Sequence, residues 1–284
     1  MPDAHRMTES SSPWRLILDP PRDGFRNMAL DEALLENCRE GNLPPGAFPV
    51  LRVYTWDVPT LSLGRFQDAV RAVDQGFCRE HGIPVVRRPT GGAAVLHDRE
   101  VTYCLVGPTR EPPFTGSLLE SYRRIASGIA AGLSLLGAEP DAGAIAQGLP
   151  RRLHPEQCFA RASSYEITFE GRKVVGSAQV RRRGASLQHG SILLDANPEL
   201  FDKATGGREG ERRGWTTLRL LLGRKPAFEE VALALARGLG EVFQARWVVG
   251  ETTPLEERLA EGLRARKYLS SHWTARGIST LSRT

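Results

Sequence analysis

Residues 85–103 read VVRRPTGGAAVLHDREVTY. They set the strand–loop–strand frame around which the rest of the chain is read. Pro84 to Arg87 predicts a strand. The loop Arg88-Pro89-Thr90-Gly91-Gly92-Ala93-Ala94 follows, and His97 then lies on a further strand. Residues 101–106 (VTYCLV) are apolar and β-branched, which predicts a buried strand. Two adjacent glycines let the backbone take positive φ and let a ligand or another chain come close. Arg87 and Arg88 bring guanidinium forks that can hold a carbonyl, a phosphate or a carboxylate. No Gly-Lys-Ser/Thr follows, so this is not a P-loop. GxGxxG is absent, so it is not a dinucleotide fingerprint. On spacing alone, a hairpin connection with two solvated arginines fits equally well. His97, taken by itself, is more often a hydrogen-bonded structural residue than a base.

Towards the N-terminus, residues 50–54 (VLRVY) and 60–63 (TLSL) read as strands joined through Trp56-Asp57-Val58-Pro59. Phe25 to Arg39 predicts a helix with Met28, Leu30, Leu34, Leu35 and Cys38 on its apolar face. Residues 14–18 (WRLIL) predict a short strand, and Val70 to His81 a short helix. Towards the C-terminus, Ser117 to Leu136 predicts a long helix with Ser117 as N-cap and Gly137 as C-terminal cap. Tyr165–Phe169 and Lys173–Gln179 predict two strands around a Glu170-Gly171-Arg172 turn. Leu187 to Leu194 is another strand, and Pro226 to Phe243 and Pro254 to Arg266 are helical. Strands interrupted by separate helices predict an α+β fold with a mixed β-sheet flanked by helices. The expected division is a disordered leader over 1–13, a catalytic domain over 14–250 and a C-terminal helical extension over 251–284. The last third, from about residue 225, is mostly helical and is compatible with an appended lobe, though no clear linker separates it.

The chain has 284 residues and a formal net charge of +5. Arginine clusters occur at 151–152, 181–183 and 212–213, with Arg224–Lys225 beside them. Such a balance attracts nucleic acid, anionic lipid or an acidic protein. Aromatics do not interleave with these clusters, which argues against nucleic acid. No stretch approaches the roughly 18 uninterrupted apolar residues of a membrane span. The leader lacks the apolar core of a secretory signal. Four cysteines without metal-binding spacing point to reduced thiols in the cytoplasm, with no disulfide framework and no metal site.

Residues 158–179 read CFARASSYEITFEGRKVVGSAQ. Cys158 sits in a loop ahead of a strand. A thiol acts as thiolate, and a nearby cation lowers its pKa. Lys173 lies fifteen residues on, after the tight turn. If the hairpin folds back across the site, its ammonium reaches the thiolate or a thioester carbonyl. Gly176 and Ser177 leave room for a narrow ligand, and Gln179 adds a polar group at the margin. The plain alternative is a buried cysteine and an exposed lysine. The other three cysteines sit in strand or helix patterns and read as scaffold. His189, in LQHGSI (187–192), reads as a hydrogen-bonded residue in a turn or bulge rather than a base.

Together these pieces resemble the biotin/lipoate protein ligase superfamily, and within it the cysteine-dependent octanoyltransferases of the LipM type. The matching segments are NMALDEALL (27–35), LRVYTWDVPTLSLGRFQ (51–67), VVRRPTGGAAVLHDREVTY (85–103), CFARASSYE (158–166), GRKVVGSAQ (171–179) and LQHGSIL (187–193). They span roughly residues 14 to 195, with a weaker match at KYLSSHW (267–273). The resemblance implies the class II aminoacyl-tRNA synthetase/biotin synthetase-like catalytic fold. It implies that Cys158 accepts the acyl group and that Lys173 contacts the acyl carbonyl. It implies an acyl pocket walled by Arg87, Arg88, Thr90, Gly91, Gly92, Ala93 and His97. Gly176, Ser177, Ala178, Gln179 and His189 are the further substrate-binding candidates. Ala162 stands where the family usually has proline, and Ala93 where it has a larger residue or glycine.

The implied reaction takes octanoyl from octanoyl-acyl-carrier protein to Cys158. It then passes the group to a lysine on the lipoyl domain of a 2-oxoacid dehydrogenase or on the glycine-cleavage H protein. A thioester donor needs no ATP. The rivals are an ATP- and Mg-dependent lipoate ligase, an amidotransferase between protein domains, and a module that only binds an acylated domain.

Overall fold

The computed structural model describes residues 13–41, 47–141, 167–207 and 214–276. The chain opens with strand β1 (Trp14–Leu18) and helix α1 (Gly24–Glu40). Asp23 caps α1 by accepting from the Arg26 N–H at 2.9 Å, and Gly41 ends it at φ +72°. Strands β2 (Val50–Tyr54) and β3 (Thr60–Leu63) keep their expected bounds. They enter different sheets.

The single helix expected over 70–81 is two short ones, α2 (Ala69–Ala72) and α3 (Gln75–Glu80). Val73 is extended at φ −138°, and the Asp74 carboxylate takes the Phe77 N–H at 2.8 Å. A side chain that caps a new helix competes with continuing the old one. Strands β4 (Val85–Arg87), β5 (Val95–His97) and β6 (Glu100–Pro108) follow. Then comes α4 (Leu118–Leu135), closed at its start by a Ser117/Glu120 capping box.

The strand expected over 173–179 divides at Val174. Strands β7 (Thr168–Phe169) and β8 (Arg172–Lys173) form a small hairpin, while β9 (Val175–Arg182) joins the main sheet. Glu170 and Gly171 both have positive φ, the primed turn that suits a two-residue hairpin. The Asp141 carboxylate holds this turn, accepting from the N–H of Glu170 at 2.7 Å and of Gly171 at 2.8 Å. Strand β10 (Ala185–Leu193) starts two residues before its expected bound. After it come α5 (Pro198–Thr205), α6 (Leu218–Leu222), α7 (Phe228–Phe243), β11 (Trp247–Val249) and α8 (Pro254–Leu263). A π-helical turn (Arg264–Tyr268) and α9 (Ser271–Arg276) complete the described chain.

The main sheet has six strands in the order β11-β1-β2-β6-β10-β9, parallel about β1 and antiparallel beyond β2. Alternate residues of β6 face opposite ways. Val101, Tyr103 and Leu105 pack with Ile125, Ile129 and Leu235 of α4 and α7. Cys104 and Val106 pack with Leu30 and Leu34 of α1. A three-stranded sheet, β4-β3-β5, carries its own core of Leu61, Leu63, Cys78 and Leu96.

The helices after residue 225 share these cores and are not set apart as a lobe. α7 lies on α4, where a Cβ on Gly238 would sit 2.2 Å from the Gly132 nitrogen. Only glycine allows that approach. β11 extends the main sheet beside β1. Ala260, Tyr268 and Trp273 pack with the α1 side of the sheet.

Candidate active site

A narrow cleft, partly open to solvent, lies between the main sheet and the three-stranded sheet. Met28 of α1, Val95 of β5, and Gly176, Ala178 and Gly190 of β9 and β10 give it slender apolar walls. Ser62, Arg88, His97, Thr102, Ser177, His189 and Ser191 complete the lining. Gly190 is required there. A Cβ on it would meet Tyr103 Cε1 at 2.6 Å and the Gly176 oxygen at 2.7 Å.

The polar groups around the cleft are tied to one another. His189 lies mid-strand in regular register with Cys104 and Ala178, not in a turn or bulge. Its Nδ1 is 3.0 Å from Asp31 Oδ2, and its Nε2 is 2.6 Å from Thr90 Oγ1. Burial pushes the His189 pKa down despite the Asp31 carboxylate, so the ring is neutral at pH 7. Burial would raise the Asp31 pKa, but its bond to His189 and the Arg52 cation hold it below the usual carboxylate value. A carboxylate only accepts. The Nδ1–H therefore faces Asp31, and Nε2 accepts from the Thr90 hydroxyl. Asp31 is itself held by Arg52 Nη1 at 2.7 Å and by the Tyr54 hydroxyl at 2.9 Å.

His97 is held in the same way on the facing wall. Its Nδ1 is 2.7 Å from Glu100 Oε1, and its Nε2 is 2.7 Å from Ser62 Oγ. The Trp56 ring stacks on it at 4.0 Å. Glu100 also accepts from Thr102 Oγ1 at 2.6 Å and from Ser191 Oγ. Burial raises the Glu100 pKa, and its pairing with His97 together with these bonds outweighs it, leaving the carboxyl low.

The two loop arginines are not solvated; both are buried. Arg88 folds its guanidinium onto its own loop, donating to the carbonyls of Gly91 at 2.8 Å and Ala93 at 2.7 Å, and to Ser62 Oγ at 3.1 Å. Arg87 turns away from the cleft. It donates to the carbonyls of Gly64 and Gln67, each at 2.8 Å, and to Thr274 at 2.8 Å. Gly64 and Gly92 pack backbone to backbone, since a Cβ on Gly64 would lie 1.8 Å from the Gly92 oxygen.

Of the residues expected at the site, Arg88, His97, Gly176, Ser177, Ala178 and His189 line this cleft. Thr90 reaches it through His189, and Gly91 and Ala93 hold Arg88 in place. Arg87 and Gln179 do not line it. Gln179 bonds Ser121 on the α4 side at 3.1 Å. Lys173 is buried in β8 and does not line the cleft. It is bridged to Trp215, its N–H donating to the Gly214 oxygen at 2.8 Å. Cys158 lies outside the described residues, as do residues 1–12 of the expected leader and Ala162.

The three described cysteines do not supply a ready thiolate. Burial pushes the Cys38 thiol up to about 12 and raises Cys78 and Cys104 as well. The cleft thus sets narrow apolar walls beside hydrogen-bonded polar groups.

The Lipoyl protein ligase A/B catalytic domain family matches residues 23–240. An octanoyltransferase LipM of Kyrpidia tusciae is 44% identical over 279 residues, covering 93% of this chain and 98% of that one. The LipM of Carboxydothermus hydrogenoformans is 39% identical over 274 residues, with the same coverage. The chain belongs to the LipM octanoyltransferases, within that catalytic-domain family.

The enzyme is an acyltransferase with the α+β fold the sequence implied. A solved lipoate-protein ligase A bound with ATP superposes with a TM-score of 0.77 at 23% identity, covering 94% of this chain and 100% of its own. The bi-partite lipoate protein ligase of Thermoplasma acidophilum does so at 0.77 and 22%, covering 96% and 100%. At those identities the likeness is one of fold. The family match continues past residue 195, where the main quoted segments end, to residue 240.

No local sequence pattern marks Met28, Asp31, Ser62, Val95, Glu100, Thr102, Gly190 or Ser191 as part of a site. Asp31 and Glu100 lie inside quoted motifs, and an acid within an apolar helix or strand is the one local signal available. What they hold is set by contacts across the fold.

Proposed function

We propose that the enzyme takes the octanoyl group from octanoyl-acyl-carrier protein onto Cys158. It then passes the group to a lysine of a lipoyl domain or of the glycine-cleavage H protein, in lipoate biosynthesis in the cytoplasm. The identity to curated octanoyltransferases across nearly the whole chain carries this reading. The slender apolar cleft supports it, because a straight acyl chain fits walls of glycine, alanine, valine and methionine. No described helix is long and apolar enough to cross a membrane.

In the first step the Cys158 thiolate attacks the thioester carbonyl. The carbon–sulfur bond to the carrier breaks, and the carrier leaves as thiolate. In the second, the neutral acceptor amine attacks the acyl-enzyme, Cys158 leaves as thiolate, and the amine gives up a proton as the amide forms. Thioester exchange is nearly isoenergetic and amide formation runs downhill, so neither ATP nor Mg²⁺ enters. The family resemblance gives Lys173 the part of polarising the acyl carbonyl and sharing in the proton transfer, although in this structure it is buried and does not line the cleft. The bonds from Thr90 to His189 and from Arg88 to Gly91 support a glycine loop fixed in place to meet the acyl group.

Acceptor octanoylation from octanoyl-acyl-carrier protein without nucleotide tests this. The expected result is transfer by the unsubstituted enzyme and none by Cys158→Ala. Lipoate, ATP and Mg²⁺ added to Cys158→Ala provide the counter-test: acceptor lipoylation there would identify a ligase and remove the cysteine route.

A further inference from the structure

Three residues beyond the cleft wall, the edge strand β9 runs into a gathering of arginines. Arg181 donates to the carbonyls of Gly116 at 2.6 Å and Phe114 at 3.0 Å, and to Ser121 Oγ at 2.8 Å. Arg124 donates to the neighbouring Thr115 Oγ1 at 3.0 Å. The buried Nε–H groups of Arg124 and Arg181 have no hydrogen-bond partner among the described residues. Burial and the nearby Arg124 cation lower the Arg181 pKa, so like charges are held together here.

The exposed Arg183 sits in the hairpin turn after β9. The Thr109 N–H binds the Gly184 oxygen of that turn at 2.9 Å, which places Arg110 beside it. The Arg110 side chain is 84% exposed. With Arg123 this makes five arginines. Two carboxylates face them: Glu111, 3.3 Å from Arg110, and Glu120, which the Ser117 capping box holds. Leu118, the first residue of α4, adds an exposed apolar contact.

We propose that this surface, the end of the β9–β10 hairpin with the turn before α4, docks the acyl donor. The donor is an acidic carrier protein that presents its thioester on a phosphodiester-linked arm. The proposal rests on the donor reading given above. Two observations select the donor over the acceptor. The patch is strongly positive, which suits an acidic protein, as carrier and lipoyl domains both commonly are, and suits in addition the anionic linker that only the donor carries. It also lies on the strand that walls the cleft. At about 3.3 Å per residue, Arg181 is about 10 Å from Ala178 and Arg183 about 17 Å. That offset suits a thioester carried on an arm.

The test uses the full chain with Arg110→Glu and Arg183→Glu together, two exposed side chains that hold no backbone carbonyl of the 113–117 turn. Arg181→Gln serves as a second, independent variant. Octanoylation of Cys158 is timed from octanoyl-acyl-carrier protein and from octanoyl-N-acetylcysteamine, which has neither protein nor phosphate. Carrier binding is read separately by fluorescence anisotropy. The expected result is a loss of about tenfold or more in kcat/KM with the protein donor. It should appear in KM, with carrier binding weakened to match and the small donor within about twofold of the unsubstituted enzyme. The salt dependence of the protein-donor rate should flatten in the variant. Unchanged carrier binding, or an equal loss with both donors, overturns the proposal. So does a loss confined to transfer from preloaded enzyme to a lipoyl domain, which would make the acceptor the occupant. If neither donor labels Cys158 in the unsubstituted enzyme, the cysteine chemistry fails, and the anisotropy arm still decides the docking.

Discussion

Thr90 hangs on His189, and His189 on Asp31. This chain fixes the glycine loop from behind, with the imidazole bonded at both nitrogens. His189→Ala should leave Asp31 and Thr90 with broken partners. The expected cost is about 1–3 kcal/mol in urea unfolding, with a raised KM for the acyl donor. The pH dependence follows from the low His189 pKa. The folded protein binds fewer protons there than the unfolded chain, so stability is full above the ordinary value of about 6.5. It falls as pH drops below that, towards the depressed folded value. His189→Gln should flatten this part of the curve. The losses from protonating Asp31 and Glu100 should remain at more acid pH, because their carboxyls are held low. Urea midpoints from pH 8 to pH 4 would check it. None of this pairing is legible locally, since Asp31 and His189 are 158 residues apart. The mid-strand place of His189 was misread because Gly190 beside it signals a bulge. In the structure that glycine instead makes room for Tyr103.

The C-terminal elements act as a clamp on the loop strand. Trp273 Nε1 donates to the Arg87 oxygen at 2.8 Å, and Arg87 donates back to the carbonyls of Trp273 and Thr274. Lys267 lies 3.9 Å from the Trp273 ring centroid and is paired with Glu32 at 2.6 Å. Trp273→Ala should cost about 3–5 kcal/mol, read as a shift in urea midpoint. Arg87→Lys should also destabilise, because an ammonium cannot fork to carbonyls on two segments. Lys267→Met should cost about 1–3 kcal/mol, because Glu32 loses one of its two cations and keeps Arg182 at 2.7 Å. Element positions were well marked where one residue type decides them. Ser117 opens α4, and the β-branched run of β6 is buried throughout. They were poorly marked where a cap competes with continuation, as at Asp74, or where a strand changes partner, as at Val174.

At the scale of the molecule, two sheets meet over the cleft, and helices close both faces of the larger one. The mixed sheet was legible from the alternation of strands and helices. Its division was not, because β2 and β3 look alike in sequence and differ only in what they pair with. The C-terminal third looked separable because it is helical, but its apolar faces have no core of their own and complete those of the sheet.

In the proposed reading, the cleft, its held loop and the donor surface all serve one event, the loading of Cys158. Intact-mass and peptide mass spectrometry after mixing the enzyme with octanoyl-acyl-carrier protein measures it directly. The predicted result is one octanoyl group on Cys158, labile to hydroxylamine, lost in Cys158→Ser and slower to form in Lys173→Ala. An enzyme that octanoylates its acceptor while no cysteine is ever acylated would contradict the account.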